Sequence, residues 1–565
     1  MGIKLPLGFD LFDKIRESGC YYIDKTGFIS ELLEENFKVN LITRPRRFGK
    51  TLAMSMLASF FDIRKDSRAY FEGLEISGNQ DLCAEWMNKW PVLFLTLKDV
   101  NGDTFEDAYE MLCFSIASLC GEHEYLAGSE KVRDSDRKIF MRLMYQEGSA
   151  ADVKSALAVL IRMMESHFGR PVILLIDEYD VPLAKASDNG YYSRMLNVIR
   201  SFMGMVWKTN PALKFAVVTG CLHIAKESIF TGANNFISRS ISSKWYNRYF
   251  GFTEKEVMRL LQETGLSGHL DGIKKWYDGY LFGGQEVYCP WDVINHVSML
   301  QKSEEAKPAN YWKDTSHNQI IRRFIDRKNL QVQDKFETLL SGGVIKEHIL
   351  EDLTYDFDNS TEENLWSILY LTGYLTEAAP WRCPEKFCPE EGKTALCIPN
   401  EEVRTLFAET VAKWFTDNIS GQDRTTLFQA WWNGDDALLT REVTDILFAT
   451  ISYFDYKEDY YHAFVTGLFA GAGYEVASNS EQGTGRADIL VKDRRNRRAI
   501  IIEVKRSKGE KQMENDCRKA LAQMDKRQYA REVLKGYEKV LCYGAAFFEK
   551  QCLIKSEEIP FQNEK

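Results

Sequence analysis

The sequence lacks any run of about eighteen uninterrupted apolar residues, the length that a helix needs to cross a membrane. Its first residues also lack the charged, apolar and small-residue order of a secretory signal. Positive charge is in deficit, because 72 Lys and Arg residues face 82 Asp and Glu residues and leave a net charge of −10. This balance argues against a protein that coats nucleic acid with its whole surface, although a local basic groove is compatible with it. We therefore expect a cytoplasmic protein.

Cysteine is scarce and scattered, with 12 residues in a chain of 565. Most cysteines sit inside apolar runs, which is typical of buried thiols in a reducing compartment; examples are Cys113, Cys120, Cys221 and Cys542. Cys383 and Cys388 form a close pair outside the predicted helices, and Cys397 follows them. No histidine matches this group, so the spacing disfavours a zinc site.

The most informative stretch is residues 37–57, FKVNLITRPRRFGKTLAMSML. Residues 39–43 predict a buried strand and residues 53–60 predict a helix. Between them, Gly49, Lys50 and Thr51 have the context of a phosphate-binding loop. Backbone N–H groups at the helix start would cradle phosphates, Lys50 would contact the β- and γ-phosphate oxygens, and the Thr51 hydroxyl would bind Mg²⁺. The predicted nucleotide-binding residues of the loop are Arg46, Arg47, Phe48, Gly49, Lys50 and Thr51.

One position departs from the usual phosphate-binding loop, because Arg44 replaces the first glycine. With Pro45 and two further arginines filling the loop, guanidinium groups are predicted to supply part of the phosphate neutralisation that a glycine-rich backbone would provide. The structural alternative is a basic turn that caps a helix. The acidic residues described next disfavour that alternative.

A second apolar strand leads into two carboxylates. Residues 171–183, PVILLIDEYDVPL, predict a buried strand that delivers Asp177 and Glu178 at its C-terminal end, where α/β sheets place ligands. Asp177 would hold Mg²⁺ through water, and Glu178 would be the general base for the attacking water. The alternative is an acidic turn after a core strand. The phosphate-binding loop disfavours it, because the two signals are independent in sequence and complementary in chemistry.

Residues 213–222 predict a further strand, near whose end Thr219 lies. In nucleotidases with an extra strand between the loop strand and the acidic strand, a polar residue at this place senses the γ-phosphate. Thr219 is the candidate sensor, and a plain strand-end hydroxyl is an equal alternative. An additional strand predicted at 91–98 supports that topology. Arg239 and Arg248 are candidates for an arginine finger, between which the sequence does not choose.

Near the C-terminus, residues 487–492 and 499–505 predict a β-hairpin. Side chains two positions apart share a face of a strand, so Glu503 and Lys505 point the same way, and the neighbouring strand brings Asp488 beside them. This set suits metal-assisted hydrolysis of a phosphodiester, with Asp488 and Glu503 as ligands of Mg²⁺ or Mn²⁺ and Lys505 as the orienting cation. The alternative is a surface hairpin with charged edges. A glutamate after three isoleucines disfavours it, because an unpaired buried charge is costly.

Other residues are candidates to complete this second site. Glu481, or Glu458 on the preceding helix, would be a third ligand, and Gln523 and Tyr529 on a later predicted helix would approach the site. Positive charge is concentrated here within an acidic chain, which suits a phosphate backbone. The arginines concerned are Arg486, Arg494, Arg495, Arg497, Arg498 and Arg506.

Several separated motifs carry a family resemblance: YYIDKT, RPRRFGKT, LLIDEYD, AKESIFTGANNF, FGFTEKEV, WYDGY and the pair GRADI and IIIEVK. With them the chain resembles the bacterial AAA-ATPase-like proteins that carry a C-terminal PD-(D/E)XK nuclease domain. The resemblance implies an additional-strand P-loop NTPase core and a C-terminal restriction-endonuclease-like α/β domain. By position, it assigns ATPase roles to Lys50, Thr51, Asp177 and Glu178 and nuclease roles to Asp488, Glu503 and Lys505.

The expected fold class is therefore α/β multidomain. The domains would be the ATPase at 1–250, a helical lid at 251–326, a mixed α+β connecting region at 327–450 and the nuclease-like domain at 451–565. The expected cofactors are ATP and Mg²⁺, with Mg²⁺ or Mn²⁺ at the nuclease site. The expected partner is nucleic acid, DNA in preference to RNA.

Two functional hypotheses follow. The first is a nuclease under ATP control, in defence or mobile-element biology. The second is a slow nucleotide switch of the STAND type, whose C-terminal module binds nucleic acid without cutting it. A homo-oligomer is a further alternative, because many ATPases of this type complete their sites across subunits.

Overall fold

The computed structural model describes residues 3–207, 210–224, 229–230, 235–312, 332–355, 361–383, 392–407, 425–450, 458–482, 485–526 and 537–558. The chain divides into two compact units, the first made of Met1–Ser316 with Lys346–Glu402 and the second of His317–Ile345 with Val403–Lys565. The predicted connecting region, residues 327–450, thus contributes to both units. Within the described ranges, no helix is long and apolar enough to span a membrane.

The first unit contains a five-stranded parallel sheet with the spatial order β2-β3-β4-β1-β5. Its strands are Val39–Thr43 (β1), Val92–Thr96 (β2), Val172–Asp177 (β3), Leu213–Gly220 (β4) and Phe236–Arg239 (β5). Every residue of β1 and β3 is buried, which is the pattern of parallel strands covered on both faces. The strands predicted at 39–43, 91–98, 171–177 and 213–222 are confirmed.

The order of the strands identifies the additional strand of this sheet. β4, which carries Thr219, lies between β1 and β3. The strand predicted at 91–98, β2, is not the intervening strand, because it lies at the sheet edge beside β3. Because the sheet is parallel, the carboxyl ends of β1, β3 and β4 meet at one edge, where open α/β sheets bind ligands.

The two longest helices of the first unit within the described residues are Phe105–Glu122 and Ala150–Phe168, and each begins with a capping box. The other α-helices of the first unit are Phe12–Glu17, Gly27–Glu35, Lys50–Phe61, Arg68–Phe71, Gln80–Trp86, Asp134–Met144, Val181–Asp188, Tyr192–Trp207, Glu254–Thr264, Leu270–Tyr277, Pro290–Lys302 and Glu362–Leu371. Short 3₁₀ helices are Glu75–Gly78, Glu124–Leu126, Ser267–His269 and Pro380–Arg382.

The predicted lid region combines helices with a hairpin over its described part, residues 251–312. The hairpin strands are Tyr280–Phe282 (β6) and Gln285–Val287 (β7). Gly283 and Gly284 form the two-residue turn with φ values of 50° and 85°. Both values are positive, as the favoured hairpin turns with two left-handed residues require. The three helices of this region bury a shared apolar core that includes Val257, Ile273 and Val297.

A small sheet of order β8-β10-β9 is formed by Ile345–Glu347 (β8), Thr376–Glu377 (β9) and Thr394–Cys397 (β10). Cys383 and Cys397 are free thiols, whereas Cys388 lies outside the described residues. No group of three His, Cys, Asp or Glu side chains in the described part of the chain is arranged to hold a metal ion.

The second unit contains a five-stranded sheet in chain order, with β13 and β14 parallel and the other pairs antiparallel. Its strands are Glu475–Gln482 (β11), Gly485–Asp493 (β12), Arg498–Arg506 (β13), Lys539–Phe548 (β14) and Gln551–Glu558 (β15). The predicted hairpin is confirmed as β12 and β13. The helices of this unit are Gln333–Leu340, Thr425–Asn433, Asp436–Thr450, Glu458–Gly471 and Glu510–Lys526.

Candidate functional site

The phosphate-binding loop lies between β1 and the helix Lys50–Phe61. Gly49 precedes the helix with a φ of 81°, a conformation that glycine adopts without steric cost. It places the first N–H groups of the helix, which have no partner within the helix, at the end of the loop. The Lys50 ammonium lies 3.2 Å from the carbonyl oxygens of Arg44 and Pro45 and 3.5 Å from Glu178 Oε1. The loop therefore curls around Lys50 and directs its charge toward the acidic strand.

The charge on Lys50 is maintained by its surroundings. Burial lowers the pKa of Lys50, but Cys221, Glu178 and Asp177 outweigh burial and raise that pKa above its ordinary value. The ammonium is thus a cation at neutral pH, as contact with a phosphate requires.

Asp177 is hydrogen-bonded to predicted site residues from two other stretches of the chain, the phosphate-binding loop and β4. It is fully buried at the end of β3, and its two oxygens accept hydrogen bonds from the hydroxyls of Thr51, at 2.7 Å, and Thr219, at 2.5 Å. Burial, with the neighbouring Glu178, raises the pKa of Asp177, whereas the two hydroxyls oppose the rise. The loop, the acidic strand and the additional strand therefore meet at one carboxylate.

The Thr51 and Asp177 oxygens fit a magnesium ion. Hydroxyl and carboxylate oxygens are the hard donors that Mg²⁺ prefers. The two oxygens lie 2.7 Å apart, so one ion could be held by both residues, by Thr51 directly and by Asp177 through water.

Glu178 occupies an unusual backbone position directly after β3. Its φ is 55°, in the left-handed region that a residue other than glycine rarely adopts. The carboxylate is turned toward Lys50, and its Oε2 atom is buried with no hydrogen-bond partner among the described residues. Strained backbone of this kind clusters at active sites, and an unengaged carboxylate oxygen is suited to take a proton from water.

Arg44 does not have the predicted role in phosphate neutralisation. Its side chain is fully buried, and its guanidinium lies 5.2 Å from the Phe250 ring and 5.8 Å from the Phe282 ring. The guanidinium donates to four backbone carbonyl oxygens at 2.8 to 3.2 Å, those of Thr43, Arg239, Ser240 and Trp245. Arg44 therefore joins the loop to β5 and to the segment that follows β5.

The other loop side chains diverge. Phe48 is buried between Tyr280 and Phe282, with ring centroids at 4.9 and 5.0 Å, so its side chain anchors the loop and only its backbone is available to phosphate. The Arg47 guanidinium lies over the ring of Trp291 at 4.4 Å. Burial lowers the pKa of Arg46, but nearby acidic groups, including Glu178, outweigh burial and raise it.

A cavity of about 260 Å³ opens beside the loop. Residues 47–53 and Glu178 line one part of it, and aromatic and apolar side chains line the rest, including Tyr21, Tyr22, Phe252 and Trp291. The YYIDKT stretch, residues 21–26, thus borders the cavity. A polar end beside an aromatic wall suits a molecule with phosphates and an aromatic base.

The two candidate arginine fingers are engaged elsewhere in the first unit. Arg239 pairs with Glu35 at 2.9 Å, and Arg248 donates to the Tyr249 hydroxyl at 2.7 Å. These contacts place neither arginine on a phosphate.

The candidate nuclease residues come together on β12 and β13. The antiparallel register pairs Ile489 with Ile502, and its continuation sets Asp488 opposite Glu503. Asp488 Oδ2 accepts a hydrogen bond from the Val504 N–H at 3.1 Å. Glu503 is 1% exposed and lies 3.3 Å from the Lys505 ammonium. Two carboxylates and a cation thus share one end of the hairpin, and oxygen donors of this type suit Mg²⁺ or Mn²⁺.

Two neighbours complete the described part of this site. The Gln523 side-chain amide donates to Glu503 Oε1, as its predicted approach requires. His462 was missed by the sequence analysis; its Nε2 lies 2.7 Å from the Asp488 carbonyl oxygen. Only its place on the helix before the hairpin could have signalled it. The side chains of Glu458 and Glu481, and all of Tyr529, lie outside the described residues.

Three arginines of the hairpin are paired with acids. Arg494 contacts Glu475 at 2.8 Å, Arg497 contacts Glu538 at 3.1 Å, and Arg498 contacts Asp493 at 2.8 Å. The local positive charge is therefore partly offset on the protein itself.

Comparison with known proteins agrees with the presence of both domains. Residues 6–230 match the family described as a predicted AAA-ATPase, and residues 456–557 match the PD-(D/E)XK nuclease superfamily. The chain carries an AAA-ATPase-like domain and a C-terminal PD-(D/E)XK nuclease-like domain. The resemblance found from the motifs is thereby confirmed. An uncharacterized protein in the vnfD 5′ region of Azotobacter chroococcum mcd 1 is 26% identical over 498 residues, which cover 86% of this chain and 87% of that relative.

Proposed function

We propose that this protein binds and hydrolyses ATP in its AAA-ATPase-like domain and cleaves nucleic acid, under control of the nucleotide, in its PD-(D/E)XK nuclease-like domain. The observation that carries the proposal is the meeting at Asp177 of the Thr51 and Thr219 hydroxyls, with Lys50 facing Glu178. In this proposal ATP lies in the 260 Å³ cavity with its phosphates toward Lys50 and its base toward the aromatic wall.

In the ATPase half, the residues around the cavity have distinct roles in binding and hydrolysis. Lys50 binds the β- and γ-phosphate oxygens, and Glu178 takes the proton of the attacking water. Thr219 holds Asp177 in place and faces the terminal phosphate from β4. Thr51 and Asp177 would hold Mg²⁺, which supplies charge neutralisation at the phosphates when bound.

In the nuclease half, Asp488 and Glu503 would hold a divalent ion, which supplies an activated water and charge stabilisation when bound. Lys505 orients that water or stabilises the charge that develops on the phosphate. Gln523 fixes the Glu503 carboxylate by a hydrogen bond. DNA is the preferred substrate in this proposal, and RNA is the alternative that the assay below separates.

The ATPase half is tested by nucleotide binding and turnover of the full chain. We expect Lys50→Ala to lose ATP binding, and Glu178→Gln to keep ATP binding while hydrolysis falls by at least a hundredfold. Lys14→Ala is the matched control, because Lys14 is an exposed lysine of the same unit that pairs with Glu17 at the surface. Equal binding by wild type and Lys50→Ala would refute this half.

The nuclease half is tested with single- and double-stranded DNA and RNA, with Mg²⁺ or Mn²⁺, with and without ATP. Asp488→Asn and Lys505→Ala should abolish cleavage and leave ATP hydrolysis intact. Lys519→Ala, which changes an exposed lysine of the same unit, should cleave as wild type does. If wild type binds nucleic acid but cleaves it under none of these conditions, the result would instead support the nucleotide switch. If cleavage is the same with and without ATP and in Glu178→Gln, the proposed control by the nucleotide is refuted.

A further inference from the structure

Residues 351–355, called here the strap, lie against the residues that follow the strands of the parallel sheet. Glu351 accepts a hydrogen bond from Ser240, just after β5, at 3.0 Å. Asp352 pairs with the His223 ring, after β4, at 3.0 Å, and the Leu353 N–H donates to the His223 carbonyl oxygen at 3.1 Å. The strap therefore contacts the residues that follow β5 and those that follow β4, the strand that carries Thr219.

The last strap residue reaches the acidic turn after β3. Tyr355 is almost fully buried, and its hydroxyl donates to Asp180 Oδ2 at 2.9 Å. Its carbonyl oxygen accepts from Ser187 at 2.5 Å. Thr354 bonds the Tyr192 hydroxyl at 3.0 Å. The strap thus connects to Asp180, two residues beyond the proposed general base.

Asp180 in turn holds the backbone after β4. It is 1% exposed, and the same Oδ2 atom accepts the N–H groups of Cys221 and Leu222, each at 3.0 Å. The Tyr179 N–H donates to the Thr219 carbonyl oxygen at 3.0 Å. Two turns, one carrying Glu178 and the other following Thr219, are therefore fastened to each other by hydrogen bonds.

The packing leaves little freedom between these turns. A Cβ atom at Gly220 would lie 2.6 Å from Asp180 Oδ1 and 2.7 Å from the Tyr179 ring. No side chain fits there without displacing Asp180. The Asp180 carboxylate is therefore in close contact with the backbone that carries the proposed sensor, and the Tyr355 hydroxyl is its donor from outside the two turns.

We propose that Tyr355 is a positioning residue for ATP hydrolysis, which fixes Glu178 and Thr219 relative to each other through Asp180. The inference rests on the proposed ATPase function. It adds that the ATPase site is completed by a segment beyond residues 6–230, the part of the chain that matches the AAA-ATPase family. Movement of the strap would change hydrolysis without changing the groups that bind ATP.

The test compares wild type, Tyr355→Phe and Tyr192→Phe in the full chain. Tyr355→Phe removes one hydrogen bond to a buried carboxylate and keeps the ring. Tyr192→Phe is the matched control, because it removes a hydroxyl that contacts the same strap at Thr354 rather than Asp180. We expect kcat for ATP to fall about tenfold to a hundredfold in Tyr355→Phe, the loss typical of a hydrogen bond to a charged group. KM should stay within twofold, and Tyr192→Phe should match wild type.

A second measurement does not depend on ATP turnover. Hydrogen exchange of the peptide that contains Cys221 and Leu222, without nucleotide, should be at least fivefold faster in Tyr355→Phe than in wild type or Tyr192→Phe. Wild-type kcat in Tyr355→Phe, or a change confined to KM, overturns the inference and leaves the ATPase proposal standing. If wild type and Lys50→Ala both lack ATPase activity, the ATPase proposal fails. In that case, unchanged hydrogen exchange at Cys221 and Leu222 in Tyr355→Phe would also overturn the inference that Tyr355 positions this backbone.

Discussion

Replacing Arg44 with methionine separates two roles for the residue that stands where a phosphate-binding loop usually has glycine. If Arg44 neutralised phosphate, Arg44→Met would weaken ATP binding and leave folding unaffected. The structure supports the opposite outcome, because the guanidinium is fully buried and bonded to backbone carbonyl oxygens. We expect lower stability and unchanged affinity in the molecules that remain folded.

The magnitude follows from the carbonyl groups that lose their donor. Arg239, Ser240 and Trp245 are distant in sequence from Arg44, and each contributes one acceptor. A buried acceptor left without its donor costs about 1 to 3 kcal/mol. Methionine recovers part of this loss by filling the space between Phe250 and Phe282. The free energy of unfolding of the first unit should therefore fall by about 3 kcal/mol.

The assay is scanning calorimetry of the full chain, combined with equilibrium ATP binding at a temperature where both proteins are folded. Calorimetry is needed because two compact units need not unfold in one transition. Arg47→Met is the matched control; Arg47 is only half-buried, beside Trp291, so its loss should lower ATP affinity with little effect on stability. Arg44→Met with a wild-type transition and ATP affinity reduced tenfold would refute the structural role.

Two further predictions concern buried carboxylates. Burial raises the pKa of Asp292 and that of its neighbour Glu402 above the ordinary carboxyl value of about 4, so the folded pair keeps protons that the unfolded chain loses. The free energy of unfolding therefore falls as the pH rises above about 4. Glu402→Gln places a neutral amide at this position and should therefore unfold at a higher temperature than wild type at pH 8. The difference in unfolding temperature should be smaller at pH 5. Equal differences at the two pH values, measured by calorimetry, would contradict the raised pKa values of the buried pair. Gln523→Ala removes the amide that donates to Glu503 and should lower nuclease kcat at least tenfold. Gln523→Glu should show an equal loss in the same cleavage assay. Wild-type rates in both variants would show that the hydrogen bond between Gln523 and Glu503 does not contribute to cleavage.

The strands and the acidic motifs could be predicted because their signals are local. The apolar run before Asp177 and the three isoleucines before Glu503 each predict a strand that carries a carboxylate, and both strands are present. The order of the strands could not be derived from periodicity alone. β1 and β4 are separated by about 170 residues in the sequence, yet their pairing sets Thr219 opposite Ile42, near the end of the strand that precedes the phosphate-binding loop.

The strap and Arg44 could not be predicted for a related reason. Residues 351–355 read EDLTY, a stretch without apolar periodicity, and its partners are 111 to 175 residues away in sequence. The role predicted for Arg44 is wrong because an arginine in a phosphate-binding loop suggests contact with a phosphate group. Its partners are instead backbone carbonyl oxygens contributed by β5 and the turn after it, which no local pattern reveals.

The buried carboxylates of the two sites differ in the donors that stabilise them. Asp177 accepts hydrogen bonds from two neutral hydroxyls, so its negative charge is not cancelled by these contacts and can be offered to a cation. Glu503 lies against the ammonium of Lys505 as well as the amide of Gln523, so a divalent ion there competes with a resident cation. Because that competition weakens ion binding, the nuclease half should need a higher concentration of divalent ion than the ATPase half. The sequence names the acids and these neighbours, but the structure shows which neighbour donates to which acid, and those donors determine how strongly each acid attracts a metal.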